Sequence, residues 1–305
     1  MSDLVSIVIP TYNRCVELER ALKSILLQTY ANFEVIIVDN NSTDNTDAML
    51  ERLNDRRIQL LKINNNGIIA ASRNLGIGVA SGEWIAFLDS DDWWCPHKLE
   101  RVMRCCGSNY DVYYHDLKMI GSWIKTGLRQ NNMSGYQVDA PVFDDLIQLG
   151  NALPNSSVVV RAKLIKQIGG LCEDRELVAA EDYECWIRLS KLTNRFKYIP
   201  EILGYYQIGV TSTTNATLSI INLEYIDKLY IAKFNKENNS EPPIWWMYAY
   251  ARALYLTGDI VNARRWLREL MKRHVSPIIW LKSCYMMFTS SRKWIKVLST
   301  IERNS

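Results

Sequence analysis

The chain has 305 residues, 48% of them hydrophobic and 23% charged, with a formal net charge of +3. It is long enough to bury a full core and too apolar for a disordered chain, and so small a net charge argues against a nucleic-acid partner. Seven cysteines, with Cys105 beside Cys106 and no CxxC pair, fit neither a disulfide framework nor a zinc site, so a reducing cytoplasm is expected.

The first apolar run, Leu4 to Ile9, ends at Pro10. It is far shorter than a signal peptide's core, and no later run reaches the roughly eighteen apolar residues of a membrane span. The chain is therefore expected to carry neither an export signal nor a transmembrane segment.

Four β-branched-rich runs read as strands: Val5 to Ile9, Val35 to Val38, Ile58 to Ile63 and Trp84 to Leu88. A helix-like segment separates each from the next. Leu18, Leu22, Ile25 and Leu26 lie on one helical face. Asp44 and Asp47 open a second helix carrying Met49, Leu50 and Leu53, and Ile68, Ala71, Leu75 and Val79 repeat at helical spacing in a third. Strand alternating with helix predicts an α/β protein with a parallel sheet.

Polar clusters follow the strands: Pro10-Thr11-Tyr12-Asn13-Arg14, Asp39-Asn40-Asn41-Ser42, Asn64-Asn65-Asn66-Gly67 and Asp89-Ser90-Asp91-Asp92. Carboxyl ends of strands line the ligand crevice of an open parallel sheet, so all four clusters fall on one edge. Gly76, Gly78 and Gly82 lie between a helix and a strand, the wrong place for a dinucleotide fingerprint, and read instead as a helix stop and a turn into Trp84. No GxxxxGK[ST] loop exists. The acidic run at 89–92 raises its own pKa values unless something positive neutralises it. A bound cation and a solvated helix cap are both consistent with those four residues alone.

Residues Arg101 to Gly150 read as a flexible insertion shaping an acceptor site. Asn155 to Val160 reads as a strand, followed by a helix from Ala162 to Ile168 and a stop at Gly169-Gly170. In Glu181-Asp182-Tyr183-Glu184-Cys185-Trp186-Ile187-Arg188-Leu189, helical spacing puts Asp182 on the face of Cys185, Trp186 and Leu189, and Glu181 on the opposite face with Glu184 and Arg188. An acid on an apolar face gains a raised pKa, whereas an acid at a helix start is favoured by the dipole in any case.

From Ala216 onward the pattern is helical, with a break at Glu241-Pro242-Pro243. Tyr250 to Asp259 resembles half of a tetratricopeptide pair, although Gly258 and Asp259 suffice as an ordinary helix stop and start. From Glu241 to Ser305 there are eleven Lys or Arg against four Asp or Glu, with Trp245, Trp246, Trp266, Trp280 and Trp294 among them. Such a segment suits either an anionic membrane surface or a helical subdomain packing its aromatics.

VSIVIPTYNR, FEVIIVDNNSTDNT, GIIAASRNLGIGVASGEWIAFLDSDDWWCPHKL and EDYECWIRL, taken in order over about residues 4 to 205, resemble the family 2 glycosyltransferases. The resemblance implies the GT-A fold, a Rossmann-like, mainly parallel sheet flanked by helices. It divides the chain into a glycosyltransferase domain at 1–215, with a nucleotide-sugar half at 1–100 and an acceptor half at 101–215, and a basic helical region at 216–305. It implies an inverting, metal-dependent transfer of a hexose or N-acetylhexosamine from a UDP-sugar to a lipid-linked saccharide of bacterial surface polysaccharide, O-antigen or capsule. It implies a cytoplasmic protein, with peripheral attachment to the cytoplasmic face of the inner membrane as one option.

By the same resemblance Pro10, Thr11, Tyr12, Asp39 and Arg73 surround the base and ribose, Asp89 and Ser90 lie near the ribose, and Asp91 binds Mn²⁺ or Mg²⁺ between the donor phosphates. Asp182, of the Glu181-Asp182 pair, is by that resemblance the expected catalytic base. Where family members often show Tyr-Arg-x-His, this chain has Tyr206-Gln207-Ile208-Gly209, which puts histidine ligation in doubt. His97, His115 and His274 read as ordinary surface or core residues. The rival readings are a non-catalytic scaffold, for which the motifs should be damaged, and a nucleotidyltransferase, for which PTYNRCVE should hold glycine.

Overall fold

A computed structural model describes residues 3–107, 109–121, 132–208 and 215–289. The chain forms two compact units, Met1–Leu146 with Asn151–Ser212, and Ile147–Gly150 with Thr213–Ser305.

The first unit begins as expected: β1 (Val5–Thr11), α1 (Cys15–Leu26), β2 (Phe33–Asp39), α2 (Thr46–Leu53), β3 (Ile58–Lys62), α3 (Ile69–Val79) and β4 (Trp84–Phe87). All seven residues of β1 are buried, as in a parallel strand covered on both faces. β1 pairs in parallel with β2 and β4, and β2 with β3. The register sets Thr11 opposite Asp39 and Asp39 opposite Lys62, so the polar clusters do meet at one edge. α1 buries Leu18, Ala21, Leu22 and Ile25.

β5 (Trp93–Trp94), α4 (Lys98–Cys105), β6 (Val112–Ile120), β7 (Asn132–Met133), α5 (Val142–Leu149), β8 (Val159–Arg161), α6 (Ala162–Gln167), α7 (Glu181–Ser190) and β9 (Phe196–Gln207) follow. The sheet runs β3-β2-β1-β4-β8-β6-β9-β5, with β7 on β6. β8 is antiparallel to β4 and β6, and β9 is parallel to β6.

Three expectations are corrected. Residues 101–150 are not mainly a loop, because β6 is paired along its whole length with β9, a strand that comes far later in the chain. Residues 122–131, in the same stretch, lie outside the described residues. Asn155–Ser157 is a 3-10 turn, and the strand starts at Val159.

The third concerns α3, which buries Ala70, Ser72, Arg73, Gly76 and Ile77 in place of the apolar stripe, leaving Val79 exposed. Gly76 and Gly78 lie inside this helix. A Cβ on Gly76 would stand 2.6 Å from Val8 Cγ1 and 3.3 Å from Val38 Cγ2, so the helix rests on the sheet through its glycine. Arg73, nearly one turn earlier, is carried inward with it.

The second unit holds α8 (Ala216–Ile226), α9 (Ala232–Asn238), α10 (Ile244–Thr257), α11 (Ile260–Met271) and α12 (Pro277–Phe288), with a π turn at Asp227–Ile231 between the first two. Gly258, at φ 94°, ends α10, and the Asp259 carboxylate caps α11 by accepting from Asn262 N at 3.1 Å. Trp246 stacks on Tyr250 with centroids 4.9 Å apart, and Trp266 meets both edge-on. Trp245 donates to Ile147 O at 2.9 Å, whereas Trp280 is exposed. Trp294 lies outside the described residues.

The α3 contact yields a paired expectation. Gly76→Ala overpacks against Val8 and lowers stability by about 1–3 kcal/mol. Gly78→Ala, which meets nothing within 4 Å, raises it by about 0.5–1 kcal/mol. Urea denaturation of the two variants checks the opposite signs.

Candidate functional site

The acidic run begins where β4 ends, and its three carboxylates receive different partners. Asp89 Oδ1 accepts from Arg73 Nη2 at 2.6 Å and Asn155 Nδ2 at 3.1 Å. Asp92 is buried; its Oδ2 accepts from Ser156 Oγ at 2.5 Å and its Oδ1 from Gln207 N at 2.9 Å. Ser156 Oγ in turn accepts from Asp89 N at 3.1 Å. Burial, with the charges of Asp89 and Asp91, holds the Asp92 carboxyl well above the usual range. Asp92 therefore fastens the loop rather than starting a helix, since α4 begins at Lys98. Ser90 is buried between them.

Asp91 is half-buried. Arg14 Nη1 donates to its Oδ2, and Arg20 Nη2 donates to its carbonyl at 2.6 Å. Burial, with Asp89 next, raises its pKa against the pull of Arg14. β5 continues directly from this loop and pairs with β9. Trp93 stacks on Tyr205 at 5.0 Å between centroids, and the Arg20 guanidinium lies 3.9 Å from the Trp93 ring centre.

Arg73 joins this loop to α7. It is 3% exposed, and its Nη1 donates to Glu181 Oε1 at 2.5 Å while Nη2 holds Asp89. The expectation that Glu181 faces outward is corrected: it is 4% exposed. Helical spacing weighs apolar neighbours alone, and the partner that draws Glu181 inward lies 108 residues upstream. Glu184 is buried too, paired with Arg188, which also donates to Ile168 O and Gly170 O.

Asp182 is half-buried next to this bridge, with Oδ1 accepting from Tyr183 N at 2.6 Å. Burial, then the charge of Glu181, pushes its carboxyl up to about 7 against the opposing effect of Arg73. A carboxyl there is an effective proton acceptor near neutrality.

At the β1 and β2 ends, Asp39 is fully buried and accepts from Ser42 N at 3.1 Å and Lys62 Nζ at 2.6 Å. Pro10 and Thr11 are buried in β1, and Thr11 Oγ1 has no partner among the described residues. Tyr12 is exposed. Thr11, Tyr12 and Asp39 thus gather at one edge, while Arg73 is committed to Asp89 and Glu181.

Arg14, Arg20, Asn155, Ser156 and Tyr206 were not singled out from sequence. Arg14 had a signal, for it belongs to the polar cluster behind β1. The Tyr206 phenol is pushed up to about 12 by burial and then by the charges of Asp92, Asp89, Asp91 and Asp182. Gln207, in place of the arginine of the family pattern, bonds Asp92 and Arg20. Gly209 lies outside the described residues.

Among the described residues no cluster of three or more His, Cys, Asp or Glu could hold a metal alone. Mg²⁺-type sites, however, need one or two carboxylates and take their remaining oxygens from substrate phosphates and water. Asp91, half-buried and paired with the partly exposed Arg14 rather than with the buried network, fits that role. Asp89 and Asp92 are bonded elsewhere. His97 and His274 are exposed, and His115 is buried with its ring held neutral, at about 3.

The sequence model described as glycosyl transferase family 2 matches residues 6–133. An uncharacterized glycosyltransferase of Nostoc sp. is 30% identical over 210 residues, 67% of this chain and 64% of that protein. The Escherichia coli UDP-Glc:alpha-D-GlcNAc-diphosphoundecaprenol beta-1,3-glucosyltransferase WfgD is 38% identical over 120 residues, 39% of this chain and 47% of that protein. The chain thus spans less than two thirds of either relative's length.

Among solved structures, Staphylococcus aureus TarS 1–349 in complex with UDP superposes with a TM-score of 0.56 at 19% identity, covering 96% of this chain and 91% of TarS. The mannosyltransferase PcManGT of Pyrobaculum calidifontis, in complex with GDP-Man and Mn²⁺, gives 0.57 at 17% identity, covering 95% and 82%.

Asp182 has a folded pKa above the value near 4 of an unfolded chain. Its ionisation therefore costs stability, increasingly from about pH 4 to 7 and in full above that. Asp182→Asn removes the cost. Its unfolding midpoint should exceed that of the wild type at pH 8, and the difference should shrink at pH 5.

Proposed function

Because residues 6–133 belong to glycosyl transferase family 2 and the fold is GT-A, we propose that this protein is an inverting, metal-dependent glycosyltransferase. It transfers a hexose or N-acetylhexosamine from a UDP-sugar to a hydroxyl of a lipid-linked saccharide, in the synthesis of a bacterial O-antigen or capsule. One observation carries the reading. Arg73 holds Asp89 and Glu181 together, and this sets Asp182, a carboxyl titrating near 7, beside the loop that carries Asp91.

The chemistry follows from that placement. Asp182 accepts the proton of the acceptor hydroxyl as the acceptor oxygen bonds to the anomeric carbon from the face opposite the diphosphate. The bond from that carbon to the phosphate oxygen breaks, and its electron pair leaves with UDP. A single displacement inverts the configuration. Asp91, with the donor phosphates, would hold Mn²⁺ or Mg²⁺, which supplies positive charge to the departing diphosphate. Pro10, Thr11, Tyr12 and Asp39 hold the nucleoside, and Asp89 and Ser90 shape the ribose side. Residues 1–100 form the donor half and 101–215 the acceptor half.

UDP and UDP-GlcNAc in the TarS complexes, GDP-Man with Mn²⁺ in PcManGT and the diphosphoundecaprenol acceptor in the name of WfgD support this choice of donor, metal and acceptor. A lipid-linked acceptor places the work at the cytoplasmic face of a membrane. Among the described residues no helix is long and apolar enough to cross one. α12 nevertheless exposes Ile278, Trp280, Leu281, Tyr285 and Phe288, the last 86% open, in a region rich in Lys and Arg. Such a face suits peripheral contact with anionic lipid.

Saturating UDP with Mn²⁺ should raise the melting temperature by roughly 5 °C, as binding a hundredfold above Kd adds about 2.7 kcal/mol. Asp91→Ala should abolish the Mn²⁺-dependent part. Asp182→Asn should keep the shift but lower turnover by about 10²- to 10⁴-fold; full turnover would exclude it as the base. The wild type should cosediment with anionic vesicles, and Leu281→Ser with Phe288→Ser should weaken that retention.

A further inference from the structure

We infer that Arg14 is an internal counter-cation that occupies Asp91 until the donor arrives and then passes to the donor's diphosphate, coupling cation binding to nucleotide binding. The inference rests on the proposed donor site and goes beyond it by giving a role to a residue to which the family resemblance assigned none.

The geometry separates what is fixed at Asp91 from what can exchange. Its main chain is held by Arg20, whose guanidinium donates to the Asp91 carbonyl at 2.6 Å, lies over Trp93 at 3.9 Å and reaches Gln207 Oε1 at 3.2 Å. The flanking carboxylates are fastened by Arg73 and Asn155 on one side and by Ser156 and Gln207 N on the other. The loop therefore keeps its course whatever sits on the Asp91 carboxylate.

Arg14 is held differently. It is the residue immediately before α1, with a partly exposed side chain that meets Asp91 across 77 positions of sequence. A divalent cation approaching Asp91 competes with this guanidinium. Cation without nucleotide strips Arg14 of its carboxylate and offers nothing in return. Cation with a nucleoside diphosphate brings two phosphates, and a guanidinium fork binds phosphate oxygens as well as it binds a carboxylate. The exchange is then favourable for both partners. Linkage makes it reciprocal, so UDP tightens the cation by the factor that the cation tightens UDP.

Mn²⁺ binding followed by electron paramagnetic resonance, with and without UDP, tests this on the full chain. In the wild type Mn²⁺ alone should bind weakly, and UDP should tighten it by about tenfold or more. Arg14→Gln should bind Mn²⁺ alone several-fold more tightly and lose most of the tightening by UDP. Arg14→Lys, which keeps the charge without the fork, should leave Mn²⁺ alone weak and reduce the coupling partway; it also serves if the glutamine variant folds poorly. Coupled binding in the wild type that is unchanged in Arg14→Gln overturns the exchange alone. A wild type that binds neither Mn²⁺ nor UDP overturns the donor site and the exchange together.

Discussion

The buried guanidinium of Arg73 is the constraint on which the site depends. Two carboxylates, Asp89 and Glu181, come from a loop and a helix far apart in sequence, and the buried Glu181 is not tolerable inside without a cation. Burial acts against a charged Arg73, and the two acids more than offset it, so its pKa lies above the ordinary arginine range. Breaking such a triad by removing its central partner leaves buried charge unpaired, a loss of about 3–5 kcal/mol. The bridge gives the inward polar edge of α3 its partners.

Three aspartates within four residues have been given three tasks by their surroundings. Asp89 is tied to Arg73, Asp92 to the Ser156 hydroxyl and the Gln207 amide, and Asp91 to Arg14. The Asn155–Ser157 turn works as a clasp. Asn155 and Ser156 bond the loop directly, and the Ser156 carbonyl accepts from Trp94 Nε1 at 2.7 Å. Gly204 lets β9 close over β5, since a Cβ there would lie 2.9 Å from Leu117 and 3.1 Å from Trp93 O. A charged loop is thus held from its far side by a turn more than sixty residues later and by a strand more than a hundred residues later.

The second unit solves a simpler problem. Trp246 is buried, stacked on the half-buried Tyr250 and met edge-on by the half-buried Trp266. α12 differs. It is apolar nearly all round, as a buried helix is, yet much of it is open. Composition alone had pooled the tryptophans into one feature, and burial separates Trp246 from Trp280.

What the sequence determined by itself is whatever depends on near neighbours. Strands β1 to β4 were legible to within one or two residues, because apolar β-branched runs bounded by polar turns are local signals. The buried face of α1 and the Gly258-Asp259 junction were legible for the same reason. The order of strand and helix also implied that the clusters at Thr11, Asp39, Asn64 and Asp89 would reach one edge. The tertiary structure alone decided which partner each charge receives. Glu181 turned inward, α3 presented Arg73 instead of Ile68 and Val79, β6 found its place, and Asp91, Asp92 and Asp89 ceased to be equivalent. Each of these rests on contacts between residues tens to more than a hundred positions apart, and periodicity over one or two helical turns carries no information about a charge that distant.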